Sequence, residues 1–194
     1  MTMDVFCADD GEKIHLKISG NGPPLVLLHG WTSTHRDWNP FLTAFEARHR
    51  VFRWDARGHG GHPLVTRSIP SAPRMARDLH NLLDHYGLEK AVVAGHSMGA
   101  LTLWQYLRDF GEERLSHLVI IDQSPRLLTD DNWKNGIYGD FDHHQNAAFI
   151  DALERDFAEA LLRLVAFRHN AKARAAYLDN AAGMVSARQR LQSL

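Results

Sequence analysis

Two rhythms of apolar residues alternate along positions 1–125. Short continuous runs stand out first: Pro24-Leu25-Val26-Leu27-Leu28, Ala91-Val92-Val93-Ala94 and Leu118-Val119-Ile120-Ile121. A weaker run, Val51-Phe52-Arg53-Trp54, ends at Asp55. An apolar run without alternation is the pattern of a strand buried on both faces, as in a parallel sheet. Between the runs, Met75, Leu79, Leu82, Leu83 and Tyr86 recur at helical spacing, with Ser71 placed to cap the first turn, Pro73 inside it and Gly87 to stop it. Ala100, Leu103, Trp104, Leu107 and Phe110 form a second helical stripe, closed by Gly111. At the start, residues 5–8 and 14–19 flank Asp9-Asp10-Gly11 and read as a hairpin. Strand, helix, strand in repetition predicts an α/β fold: a doubly wound, mostly parallel sheet of about six strands with helices on both faces.

Past Pro125 the rhythm changes. Phe149, Leu153, Phe157, Leu161 and Leu164 predict one amphipathic helix and residues 175–191 a second, and no strand-like run follows Ile121. The expected organisation is a core over 1–125 and a helical cap or lid segment over 126–194. From Arg163 onward, Arg163, Arg168, Lys172, Arg174, Arg188 and Arg190 stand against Asp179, a pattern that fits a solvated helix face better than a membrane surface.

Composition narrows the setting. The 194 residues fit one domain, or one domain with a small helical insert. A net charge of −1 supplies no field that would draw the chain to nucleic acid or anionic lipid. Cys7 is the sole cysteine, which excludes an intrachain disulfide and fits a reducing compartment. The first residues lack the basic and apolar regions of a signal peptide, and no apolar run is long enough to span a bilayer. The expectation is a cytoplasmic protein that binds a small-molecule substrate, with no nucleic-acid or membrane partner and no cofactor.

Chemistry concentrates in three stretches. Gly95-His96-Ser97-Met98-Gly99 joins a predicted strand to a predicted helix and matches G-x-S-x-G, the nucleophile elbow, in which a tight turn lifts the serine Oγ clear of the sheet. The helix N-terminus behind Ser97 favours negative charge there. His29-Gly30-Trp31 ends the third predicted strand, so its loop is expected to border Ser97. The backbone amides of Trp31 and Met98 are then the candidate oxyanion hole, each donor worth roughly 3–4 kcal/mol of transition-state stabilisation. His29, Trp31 and His96 are the candidate pocket residues. His29 is expected to hold the loop rather than to react. The third stretch is Asp55-Ala56-Arg57-Gly58-His59-Gly60. His59 and His62 without a third ligand do not predict a metal site.

These three motifs, in this order and spacing, resemble the α/β-hydrolase superfamily over residues from about 4 to 125. The resemblance implies that Asp55, Arg57 and His59 shape the top of the sheet, and that the catalytic acid follows strand seven or, in some branches, strand six. Asp122, directly after the run 118–121 in IIDQSP, is the candidate acid; the alternative is a strand-capping role. The segment 133–142, WKNGIYGDFD, leading into cap-like helices, resembles the strand-six branch, which includes C–C bond hydrolases, esterases and cofactor-free dioxygenases. The family's catalytic histidine follows an eighth strand, and here neither strand seven nor strand eight is found. His96, His143, His144 and His169 do not fit the base position, although His143 or His144 swinging in remains an alternative. Without a base a serine hydroxyl is a weak nucleophile at neutral pH. The expected function is an impaired hydrolase acting on an ester or related carbonyl substrate through Ser97, in a shortened chain. The alternatives are a dioxygenase of the same fold or a non-catalytic binding protein. With no seventh strand, residues 118–121 are expected to form a sheet edge open to pairing with a second copy.

Overall fold

The structure, a computed structural model, describes residues 3–180 together with 185, 188 and 189. They fall into two compact units, Met1–Pro125 and Arg126–Leu194.

The first unit is built on one six-stranded sheet of order β1-β2-β4-β3-β5-β6, formed by β1 (Asp4–Cys7), β2 (Lys13–Ser19), β3 (Pro24–Leu28), β4 (Arg50–Asp55), β5 (Ala91–His96) and β6 (Leu115–Ile121). The β1–β2 and β2–β4 pairs are antiparallel, whereas β3–β4, β3–β5 and β5–β6 are parallel, so the sheet is mixed. Side chains alternate between its faces. Val26, Leu28, Phe52, Trp54 and Val93 pack under α2 (Ala72–His85) and α3 (Met98–Phe110), against Met75, Leu79, Leu82, Leu83, Leu103 and Tyr106. Leu25, Leu27, Val51 and Ala94 leave the opposite face and meet Trp38, Leu42 and Phe45 from a 3-10 turn, His35–Phe41, and the short α1 (Leu42–Glu46). Apolar residues on both faces explain the unbroken runs of β3 and β5.

Local chemistry sets the helix limits. Ser71 accepts from the Arg74 amide at the start of α2, and Gly87, at φ 58°, turns the chain out of it. Asp78 lies fully buried on the apolar face of α2 because Arg57 meets it with two bonds of 2.6 Å and also reaches Asp10 at 3.0 Å. Burial opposes the Arg57 charge, but the two carboxylates outweigh it and raise its pKa, tying the β1–β2 turn, the β4 loop and α2 together.

β6 takes the edge position expected of residues 118–121, but it departs from the expectation that such an apolar run is buried on both faces. Leu118 and Ile120 pack into the core beneath α3, whereas Val119 and Ile121 are 44% and 36% exposed. The run 118–121 is apolar on both sides, yet β6 is the edge of the sheet and only one of its faces is packed. A bulge interrupts the register, Ala91 pairing with Leu115 and Val92 with His117.

The second unit contains α4 (His143–Arg155), α5 (Phe157–Leu161), a π-helical turn (Leu162–Phe167) and α6 (Ala171–Leu178). The single helix expected from Phe149 to Leu164 is broken. Asp156 is extended, at φ −157° and ψ 92°, and its carboxylate accepts from the Glu159 amide to start α5 anew. A short acidic side chain competes with the helical ladder for nearby amides, and apolar periodicity carries no trace of that competition. The second helix expected there, 175–191, corresponds to α6, which begins four residues earlier and ends at Leu178. The rest of that prediction falls mostly on 181–184, 186, 187, 190 and 191, outside the described residues. No helix among the described residues is long and apolar enough to cross a membrane.

Candidate active site

Ser97 sits between the last residue of β5 and the first of α3, at φ 51° and ψ −111°. A non-glycine residue at such angles is strained, and the surrounding structure has to hold it there. Its amide donates to the Ile121 carbonyl at 3.0 Å, extending the β5–β6 ladder, and its carbonyl accepts from the Leu101 amide at 3.0 Å. The side chain takes no part in capping α3, and Oγ makes no hydrogen bond among the described residues. The flanking glycines are required by contact. A Cβ on Gly95 would lie 2.4 Å from the Gly99 carbonyl oxygen, and one on Gly99 would lie 2.4 Å from that of Leu28. Strand β5, helix α3 and strand β3 therefore approach more closely at this turn than any side chain permits. Met98, the first residue of α3, has an amide with no carbonyl partner inside the helix.

The loop after β3 passes over this turn. A Cβ on Gly30 would stand 3.0 Å from His96 Nδ1 and 3.4 Å from the Ser97 Cβ. His29 fastens the loop: Nδ1 donates to the Gly30 carbonyl at 2.7 Å, and Nε2 accepts from the Ala56 amide at 3.0 Å. This pair of bonds assigns the neutral, Nδ1-protonated tautomer. Burial holds the imidazole down at about 4, so the ring is uncharged at neutral pH. Trp31 follows with its side chain 41% exposed, and the next residue, Thr32, is at φ 61°.

Asp55 anchors the next layer. Its Oδ1 accepts from the His35 amide at 2.7 Å and from the His35 ring at 2.9 Å, and its Oδ2 lies 3.3 Å from His62 Nε2. Burial alone would raise this carboxyl, but the His35 amide and ring outweigh it and hold it below the ordinary value. Through His35, Asp55 fixes the start of the 3-10 turn. His59 packs its ring 5.2 Å from that of His29. Among the described residues, no group of three or more His, Cys, Asp or Glu is arranged to hold a metal ion.

Beside the turn lies a cavity of about 400 Å³, lined by His29, Asp37, Trp38, Phe41, Phe45, His96 and Ile121. Of the pocket residues read from the sequence, His29 and His96 line it; the Trp31 side chain is not among the lining groups. The aromatic wall of Trp38, Phe41 and Phe45 escaped sequence reading, although Trp38, Phe41, Leu42 and Phe45 carry helical spacing. Asp122 is exposed, at φ 52°, one residue beyond the carbonyl that receives the Ser97 amide. His143 and His144 are exposed in the first turn of α4, in the second unit.

An elbow of this geometry, at the carboxyl end of a central parallel strand and behind a histidine-anchored loop, matches a known family. The family model described as alpha/beta hydrolase fold matches residues 23–189. The chain belongs to the alpha/beta hydrolase fold family. Among curated relatives, it is 32% identical over 149 residues to a pimeloyl-[acyl-carrier protein] methyl ester esterase of Aeromonas hydrophila, covering 77% of this chain and 55% of that protein. It is 29% identical over 126 residues to 3-oxoadipate enol-lactonase 1 of Acinetobacter baylyi, covering 63% of this chain and 46% of the relative. The chain thus spans about half the length of the curated relatives it matches. Among solved structures, an esterase from Exiguobacterium antarcticum superposes with a TM-score of 0.73 at 24% identity, over 82% of this chain and 59% of that one, a likeness of fold. The family is one of enzymes: relatives of this α/β-hydrolase chain are named as esterases, a lactonase and an epoxide hydrolase.

Proposed function

We propose that this chain is a hydrolase that acts on an ester or related carbonyl compound through Ser97, in the cytoplasm and without a cofactor. The observation that carries the reading is Ser97 itself, held at φ 51° by two glycines that leave no room for a side chain, with Oγ unspent. Trp31 and Met98 supply the amides of the oxyanion hole, Asp122 is the acid, and the cavity bordered by His29 and His96 receives the substrate, with Trp31 at its approach. Among the relatives, those named as esterases and a lactonase support an acyl substrate, while others are named as an epoxide hydrolase and a non-heme haloperoxidase.

The reading includes low activity for the 194-residue chain by itself, since no histidine of residues 3–125 bonds to Ser97 Oγ. A positioned general base contributes about 10²–10⁴-fold, and its loss leaves only what the oxyanion hole and binding supply. Free imidazole tests the reading. Added to the chain, it raises the hydrolysis of a short-chain alkyl ester above the imidazole-only background. Ser97→Ala abolishes the increment, and Asp122→Asn reduces it. An increment that survives in Ser97→Ala removes the serine from the reaction.

A second copy of the chain is the partner this reading gives the edge of β6. The Ile121 carbonyl faces β5, so by alternation Leu118 and Ile120 turn their backbone groups outward. Two copies related by a twofold axis at Val119 would exchange bonds between Leu118 and Ile120 and bring their exposed Val119 side chains together.

A further inference from the structure

Histidines form a second cluster away from the elbow. His15 of β2 pairs with Asp55 of β4 in the antiparallel register, so both side chains leave the same face of the sheet. His62, in the loop after β4, stacks on His15 with ring centroids 3.6 Å apart and planes 4° from parallel. The same His62 places Nε2 3.3 Å from Asp55 Oδ2. A few residues on, the amides of Val65 and Thr66 and the Thr66 hydroxyl donate to the buried carboxylate of Glu12 at 3.1, 2.9 and 2.8 Å. The loop is pinned at two points, and one of them is made of two imidazole rings.

We propose that the His15–His62 stack is an acid-sensitive latch on residues 62–68, closed while at most one of the two rings is protonated and open when both are. A proton on His62 faces the Asp55 carboxylate. A second proton, on His15, faces an imidazolium across the stack, and Asp55 has already given Oδ1 to His35. The other charged groups around the pair do not relieve it: Lys13 and Lys17 flank His15 on the same face of β2, and Arg53 precedes Asp55 by two residues on β4. Glu12 also lies near His15, but it is committed to Val65 and Thr66. His29, which also acts on Asp55, is held neutral by burial. Burial, and then His62, push the His15 ring below its ordinary value. Glu12 behaves oppositely: burial would raise it, yet the bonds from Thr66 and Val65 prevail and keep it ionised, so a loss of protection at those two amides reports the loop opening and not protonation of their acceptor.

Amide hydrogen exchange, corrected for intrinsic rates, tests the latch. In the wild-type chain, protection of the Val65 and Thr66 amides is expected to fall about tenfold or more between about pH 7.5 and about pH 5, the factor for one unit of displaced titration. In His15→Phe, which keeps a ring to stack but carries no proton, protection is expected to stay level. Equal loss in both overturns the proposal. A second measurement, on the wild type and a different variant, covers the case in which His15→Phe fails to fold. By NMR, the His15 ring of the wild type titrates below its ordinary value, and its midpoint rises in His62→Gln. A His15 midpoint that ignores His62→Gln likewise overturns it.

Discussion

Gly99 carries no catalytic group, yet it fixes where Ser97 stands. A methyl group there would meet the Leu28 carbonyl at 2.4 Å, and one at Gly95 would meet Gly99. Gly99→Ala is therefore expected to cost about 1–3 kcal/mol, the range for overpacking a filled interior, in urea unfolding at neutral pH. An unchanged midpoint would show that the two strands and α3 have slack there. His29 makes a pH-dependent contribution. Its folded value of about 4 lies below the 6.5 of the unfolded chain, so below pH 6.5 the unfolded state takes up a proton that the folded ring refuses. Stability is expected to be full above pH 6.5 and to fall toward pH 4 by about 3 kcal/mol from this group. His29→Gln is expected to be less stable at neutral pH but to lose that part of the slope. At this scale the sequence was informative where a motif names atoms: G-x-S-x-G located the elbow, and His29 was read as a loop anchor. The Asp55–His35 bond was illegible, because twenty residues separate partners that only the fold brings together.

The elements of the sheet were legible for a plain reason. β3 and β5 are covered on both faces, so burial wrote itself as continuous apolar runs, and Ser71 and Gly87 marked the ends of α2. Ser71→Ala is expected to cost about 1 kcal/mol, the usual worth of an N-cap, measured by thermal or urea unfolding. Two features left no such mark. The 3-10 turn His35–Phe41 contains Pro40, which disguises a segment whose Trp38, Phe41 and Phe45 wall the cavity. Asp156 divides one apolar stripe between α4 and α5, because a single carboxylate that caps a new helix outweighs the periodicity around it.

For the whole molecule, the edge of β6 and the serine turn make separate claims. If β6 pairs with a second copy, light scattering is expected to report a mass near twice 22.0 kDa. Val119→Lys, which places a charge on the exposed side of the strand, is expected to return the monomer. A wild-type monomer at all accessible concentrations rejects that pairing and leaves the serine chemistry untouched. The central claim is that Ser97 is a poised nucleophile lacking its base, and covalent labelling reads it most directly. The chain is exposed to a fluorophosphonate with and without imidazole, and the modified peptide is identified by mass. Slow labelling confined to Ser97, accelerated by imidazole and absent from Ser97→Ala, is the result expected. Rapid stoichiometric labelling without imidazole would contradict the missing base, and no labelling of Ser97 under either condition would contradict the nucleophile.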